Sequence, residues 1–157
     1  MFTGADLSAA VFDDCSWLRC ELSNCKVSDT RFRRASFTEC RARGVTFSNC
    51  HRFALEFEFV DCNLSYSSFF GLHIRGTSFK NCKLDETDFG EAQLVDSNFE
   101  GSDLHRTVFH HADLRNCDMS TAKGVSLKLE NNRVKGLRLS LEGASDTLAA
   151  LGITVVL

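Results

Sequence analysis

Apolar residues recur along this chain at every fifth position. From Phe2 the step lands on Leu7, Phe12, Trp17, Leu22, Val27, Phe32, Phe37, Ala42 and Phe47. Two extra residues intrude, and from Ala54 the step resumes through Phe59, Leu64, Phe69, Ile74, Phe79, Leu84, Phe89, Leu94, Phe99, Leu104, Phe109, Leu114 and Met119. A five-residue step turns an α-helix by roughly 140°, so such residues would spiral around it instead of forming a stripe. On a continuous strand an odd step would alternate faces. The period suits a chain that sends one side chain inward and then turns a corner. Four such segments close a square coil of about twenty residues, and successive coils stack at parallel-strand spacing, about 4.8 Å.

The intervening residues agree. Two places before each centre the side chains are small, as at Ala5, Cys25, Thr30, Cys62, Ser67, Thr87, Ser97, Ala112 and Cys117. Asp or Asn directly precedes many centres, at Asp6, Asn63, Asp88, Asn98, Asp103, Asp113 and Asp118. These side chains readily bond backbone N–H groups at tight turns. Proline is absent, which fits a ladder in which backbone N–H groups donate to the neighbouring coil. Ala5-Asp6-Leu7-Ser8-Ala9, Ser102-Asp103-Leu104-His105-Arg106 and Ala112-Asp113-Leu114-Arg115-Asn116 resemble the A(D/N)Lxx consensus of the pentapeptide-repeat family. The resemblance covers residues 2–121 and implies an all-β fold, a right-handed quadrilateral parallel β-helix.

Folding the sequence at twenty residues predicts two opposed aromatic columns. Phe47, Phe69, Phe89 and Phe109 stand in one, and Phe37, Phe59, Phe79 and Phe99 in the other. Aliphatic columns alternate with them, so a solid interior is expected. The register break near 48–54 reads as a bulge or short loop. Ala42 and Ala54 are the smallest centres, and this coil is therefore expected to be the weakest packed. Residues 122–139 keep the phase at Leu129, Val134 and Leu139, and an irregular last coil is expected to complete a β-helix domain over 1–139. Residues 140–157 form a separate ending. Leu141, Ala144, Leu148 and Leu151 share a helical face, Gly152 is a natural stop, and Ile153 to Leu157 read as a short strand. An apolar ending of this kind either caps the last coil or joins two subunits.

That ending, with Asn131-Asn132-Arg133-Val134-Lys135-Gly136 before it, is similar to the C-terminus of the Qnr, MfpA and McbG group. The likeness implies end-to-end homodimerisation, with Leu141, Ala144, Leu148, Leu151, Ile153 and Val155 at the interface. It also implies binding to bacterial type II topoisomerases, DNA gyrase or topoisomerase IV, by mimicry of duplex DNA.

Composition changes this picture little. The formal charge of −3 exerts no general pull toward nucleic acid or anionic lipid, so neither direct nucleic-acid binding nor membrane association is expected. No apolar run spans a membrane, the start lacks the pattern of a signal peptide, and a cytoplasmic location is expected. Most of the eight cysteines fall at the small inward slot, where core packing explains them better than disulfides or zinc. No cofactor is expected. The five histidines fall at outward positions, and no cleft for catalysis is foreseen. Charge is uneven along the chain. The coil from Leu84 to Leu104 holds Asp85, Glu86, Asp88, Glu91, Asp96, Glu100 and Asp103 without Lys or Arg, whereas Arg31, Arg33, Arg34, Arg41 and Arg43 make the first coils basic. The acidic coil is the candidate partner-binding array, offering phosphate-like charges to a basic groove. A scaffolding solenoid with an unrelated protein partner is the alternative.

Overall fold

The computed structural model describes residues 1–156. Its chain winds as a four-sided parallel β-helix of about six turns, closed at one end by a helix. Strands are short: β1 (Val11–Asp13), β2 (Ser16–Leu18), β3 (Arg31–Arg33), β4 (Ala35–Thr38), β5 (Phe57–Val60), β6 (Ser78–Lys80), β7 (Asp118–Met119) and β8 (Arg138–Leu139). Pairing is parallel throughout, as β1–β3, β2–β4–β5–β6 and β7–β8. Phe12 lies beside Phe32, twenty residues on, whereas Phe37 lies beside Phe59 because the two inserted residues intervene.

Each corner has a local cause. The residue two places after a centre takes positive φ, including Ala9, Asn24, Tyr66, Glu86, Glu91 and Arg106. At many corners the N–H three residues after the centre returns to its carbonyl, as from Ser67 to Leu64 and Ser102 to Phe99, the pattern of a type II turn, whereas the Cys20 and Cys82 N–H groups donate to Cys40 and Ser102 of the next coil. Side chains of Asp6, Asn63, Asp88, Asn98, Asp103, Asp113 and Asp118 each accept the N–H two residues on. Small inward residues tie one coil to the last. Thr30 donates to the Leu7 carbonyl at 2.8 Å, Thr87 to Leu64 at 3.0 Å and Cys117 to Leu94 at 2.9 Å.

Both aromatic columns are present. Ring centroids are 4.8 Å apart from Phe47 to Phe69, 5.1 Å from Phe69 to Phe89 and 5.4 Å from Phe89 to Phe109. In the other column Phe37, Phe59, Phe79 and Phe99 stack at 5.0 to 5.5 Å. Across the axis the two columns meet edge to face, as between Phe89 and Phe99, the offset geometry that ring quadrupoles favour.

The register break differs from the five-residue expectation. Ala54 is not an inward centre: it is exposed, with a φ of +52°. The inserted residues bow outward, and Val45, Leu55, Phe57 and Leu72 fill the space inside. Phe57 stands within 5.4 Å, centroid to centroid, of Phe32, Phe47 and Phe59. This coil is consequently well filled: a large residue at the normally small slot compensates for Ala42 and for the missing centre.

Helix α1 (Leu141–Ala149) lies on the last coil. Ser140 caps it by accepting the Gly143 N–H. Thr147 is buried and its hydroxyl accepts the Leu127 N–H, while Gly143 sits so near Val125 that a Cβ there would come within 3.2 Å. Gly152, at φ +76°, ends the helix as expected. Its N–H bonds the Ala149 carbonyl and the Ile153 N–H bonds that of Leu148, a Schellman closure. The expected terminal strand is absent over 153–156, and Leu157 lies outside the described residues. Leu151 follows the helix rather than belonging to it.

Candidate partner-binding surface

With the interior filled by side chains, the outer sides of the rod are the surfaces on offer. Stacking at twenty residues, or twenty-two across the break, assigns each charged residue to one side. The first side, over the Phe47–Phe109 column, carries Asp6, Asp29, Asp88, Glu91 and Glu130 against Lys26 and Lys128. The third side with its corners, over Phe37–Phe99, carries eight carboxylates against four cations. Two opposite sides are therefore acidic. The second side, between them, has seven cations against two carboxylates once the corner it shares with the third side (Asp14, Arg34 and Asp96) is left out, and the fourth has five against four.

The carboxylates of the Leu84–Leu104 coil do not form one array. Asp88 and Glu91 lie on the first side, Asp96 and Glu100 on the third, and Asp85, Glu86 and Asp103 on the fourth. Neighbouring coils supply the cations this coil lacks. Arg106 reaches Asp85 at 2.7 Å and Glu86 at 3.3 Å, Arg75 reaches Asp96 at 2.6 Å, and Lys80 lies 3.4 Å from Glu100. His105 Nδ1 lies 2.5 Å from Asp103. Asn116 and Arg75 hydrogen-bond Asp96 and hold its carboxyl below the usual range. Among the described residues, Asp88 and Glu91 have no ion-pair partner. The same laddering tames the basic first coils, where Arg33, Arg34 and Arg41 face Asp13, Asp14 and Glu21.

Glu56, Glu58 and Asp61 were not singled out from sequence. They stand on the third side in the break coil, exposed and without an ion pair among the described residues. Their common side becomes visible once the ladder is shifted by two residues at the break, pairing Ser36 with Glu58.

At the C-terminal end, the expected interface residues divide. Leu141, Leu151 and Ile153 are exposed, whereas Ala144, Leu148 and Val155 are half-buried. Val155, Leu141 and Ser145 line a shallow groove beside α1.

All eight cysteines are free thiols, and six are buried. Burial pushes Cys50 and Cys117 up to about 12, which makes them poor nucleophiles. Among the described residues no group of three or more His, Cys, Asp or Glu side chains could hold a metal ion, and no helix is long and apolar enough to cross a membrane.

The family model for the pentapeptide repeat region matches residues 10–89 and 56–140, most of the coiled portion. The chain belongs to the pentapeptide-repeat family. No curated protein matches it. Among solved structures, this pentapeptide-repeat protein is similar to two trypsin-treated variants of QnrB1, described as a plasmid-mediated fluoroquinolone resistance protein. Both are 18% identical and the match covers 99% of this chain, with 92% and 93% of theirs and TM-scores of 0.69 and 0.72. HetL of the cyanobacterium Nostoc, a pentapeptide-repeat protein involved in heterocyst differentiation regulation, is 16% identical. Its match covers 88% of this chain and 63% of its own, with a TM-score of 0.49. At these identities the likeness concerns the fold.

Proposed function

We propose that this pentapeptide-repeat protein is a non-catalytic binding protein that occupies a basic, DNA-accepting groove of a type II topoisomerase such as DNA gyrase. The observation that carries this reading is the sorting of charge on a solid rod, with carboxylates concentrated on two opposite sides. A groove that grips a duplex from both flanks meets negative charge on both flanks here as well. Glu56, Glu58 and Asp61 are the residues most free to make such contacts, with Asp88 and Glu91 on the other side. Likeness to the QnrB1 fold along nearly the whole chain agrees with this reading. The exposed Leu141, Leu151 and Ile153 support a homodimer formed through the C-terminal end.

Binding to purified gyrase by calorimetry, together with a supercoiling assay at micromolar protein, tests the proposal. Binding that is weakened when Glu56, Glu58 and Asp61 become Gln, Gln and Asn supports it. No heat and no effect on supercoiling would exclude it and leave a scaffolding role with another partner.

A further inference from the structure

The second side of the rod departs from the chain's overall charge. Arg31 and Arg33 stand on one coil. Arg52 leaves the bulge of the next, Arg75 follows, and Arg115, Arg133 and Lys135 complete the run. Hydrogen bonds from Gly76 to Val95, Asp96 to Arg115 and Asn116 to Lys135 stack Arg75, Val95, Arg115 and Lys135 in one column. Among the described residues Asp13 and Asp113 oppose them on this side, and Asp96, at its corner with the third side, pairs with Arg75. Asp13 faces Arg33, and Asp113 serves both Arg115 and Arg133. Arg31 and Lys135 have no carboxylate partner among the described residues, and Arg52 donates only to the Gly71 carbonyl.

An aromatic ring stands among these cations. The inserted residues at the break push Phe53 out of the helix until it is 81% exposed, flanked by His51 and Arg52. Tyr66 and Phe70 are also exposed, but Tyr66 lies under the Arg43 guanidinium and Phe70 stands on the acidic first side. A cationic strip carrying an uncovered aromatic ring offers the two contacts that a single-stranded nucleic acid makes without regard to sequence: phosphates along the charge and a base stacked on the ring. The strip spans five coil steps, about 24 Å at about 4.8 Å each. An acidic peptide could meet the cations but would not require an exposed ring.

We propose that the second side, from Arg31 to Lys135 with Phe53 at the bulge, binds single-stranded nucleic acid. This surface is distinct from the acidic sides assigned to the topoisomerase, so the two readings fail separately. A fluorescein-labelled single strand of about 12 nucleotides, a length within known site sizes, serves as the probe in an anisotropy titration. Binding should weaken steeply between about 50 and 200 mM salt. The triple variant Arg31→Gln, Arg52→Gln, Lys135→Gln removes three phosphate contacts. At about 0.7 power of salt concentration per contact, it should bind about a hundredfold more weakly at 0.1 M salt. Phe53→Ala should weaken binding at least about fivefold, consistent with loss of one stacked base. Both variants should keep the parent's circular dichroism and melting temperature. Glu56→Gln with Glu58→Gln should leave oligonucleotide binding intact while lowering any affinity for gyrase. The proposal is overturned by no binding at about 50 mM salt, by binding that both variants retain, or by equal binding of the duplex of the same length. Equal capture of poly-glutamate would overturn it in favour of an acidic protein ligand.

Discussion

Replacing Phe57 by Ala tests how the chain accommodates its two inserted residues. Phe57 is only 6% exposed and touches five phenylalanine rings, with centroids between 5.3 and 6.3 Å. A buried aromatic of this size covers on the order of 150–250 Å². At about 25 cal/mol per Å² its burial contributes about 4–6 kcal/mol. Truncations of buried Phe to Ala cost about 3–5 kcal/mol, and a loss of about 4 is expected here. That is a large share of the roughly 5–15 kcal/mol that holds an ordinary domain together. In a chain of this length it corresponds to about 8–16 °C in Tm. Guanidinium unfolding followed by circular dichroism should show a lower midpoint with an unchanged slope. Phe53→Ala, four residues away, should change stability by less than about 0.5 kcal/mol, because that ring is already in water. A loss below about 1 kcal/mol for Phe57→Ala, or equal losses for the two variants, would refute the inward placement of Phe57 and the outward bulge.

The remaining expectations concern the end of the rod, its carboxylates and its thiols. Leu141→Glu with Leu151→Glu should convert a dimer to monomers in light scattering while leaving the fold intact; a persistent dimer would place the interface elsewhere. The carboxyls of Asp113 and Asp118 are lowered, by the Arg115 guanidinium and by Ser120 respectively. Their stabilisation is therefore fully present above the unfolded value of about 3.9 and is lost as pH falls through the lower folded value. Tm should accordingly be flat near neutrality and fall below about pH 4, and Asp113→Asn should lower it more at pH 7 than in acid below the unfolded value. With a thiol reagent at pH 8, Cys15 and Cys20, which are only half-buried, should react first. Cys50 and Cys117 should react only on unfolding.

The five-residue period alone determined the coil, its two aromatic columns and the inward thiols. The reason is steric: a side chain every fifth residue can share one interior only if the chain turns a corner between centres. The turn-forming Asp and Asn were legible for a similar reason, since their hydrogen bonds reach only two residues along the chain. Tertiary structure decided what depends on alignment between coils. Ala54 kept the period yet faces water, because the coil needed a larger residue and Phe57 was near enough to supply it. The acidic run from Asp85 to Asp103, continuous in sequence, wraps around the rod and meets arginines twenty residues or more away. Charge acts through space over roughly 10 Å at ordinary salt, so the side a residue occupies matters more than its neighbours in the chain. That side is set only when successive coils stack in register, with a shift of two residues where the chain bulges.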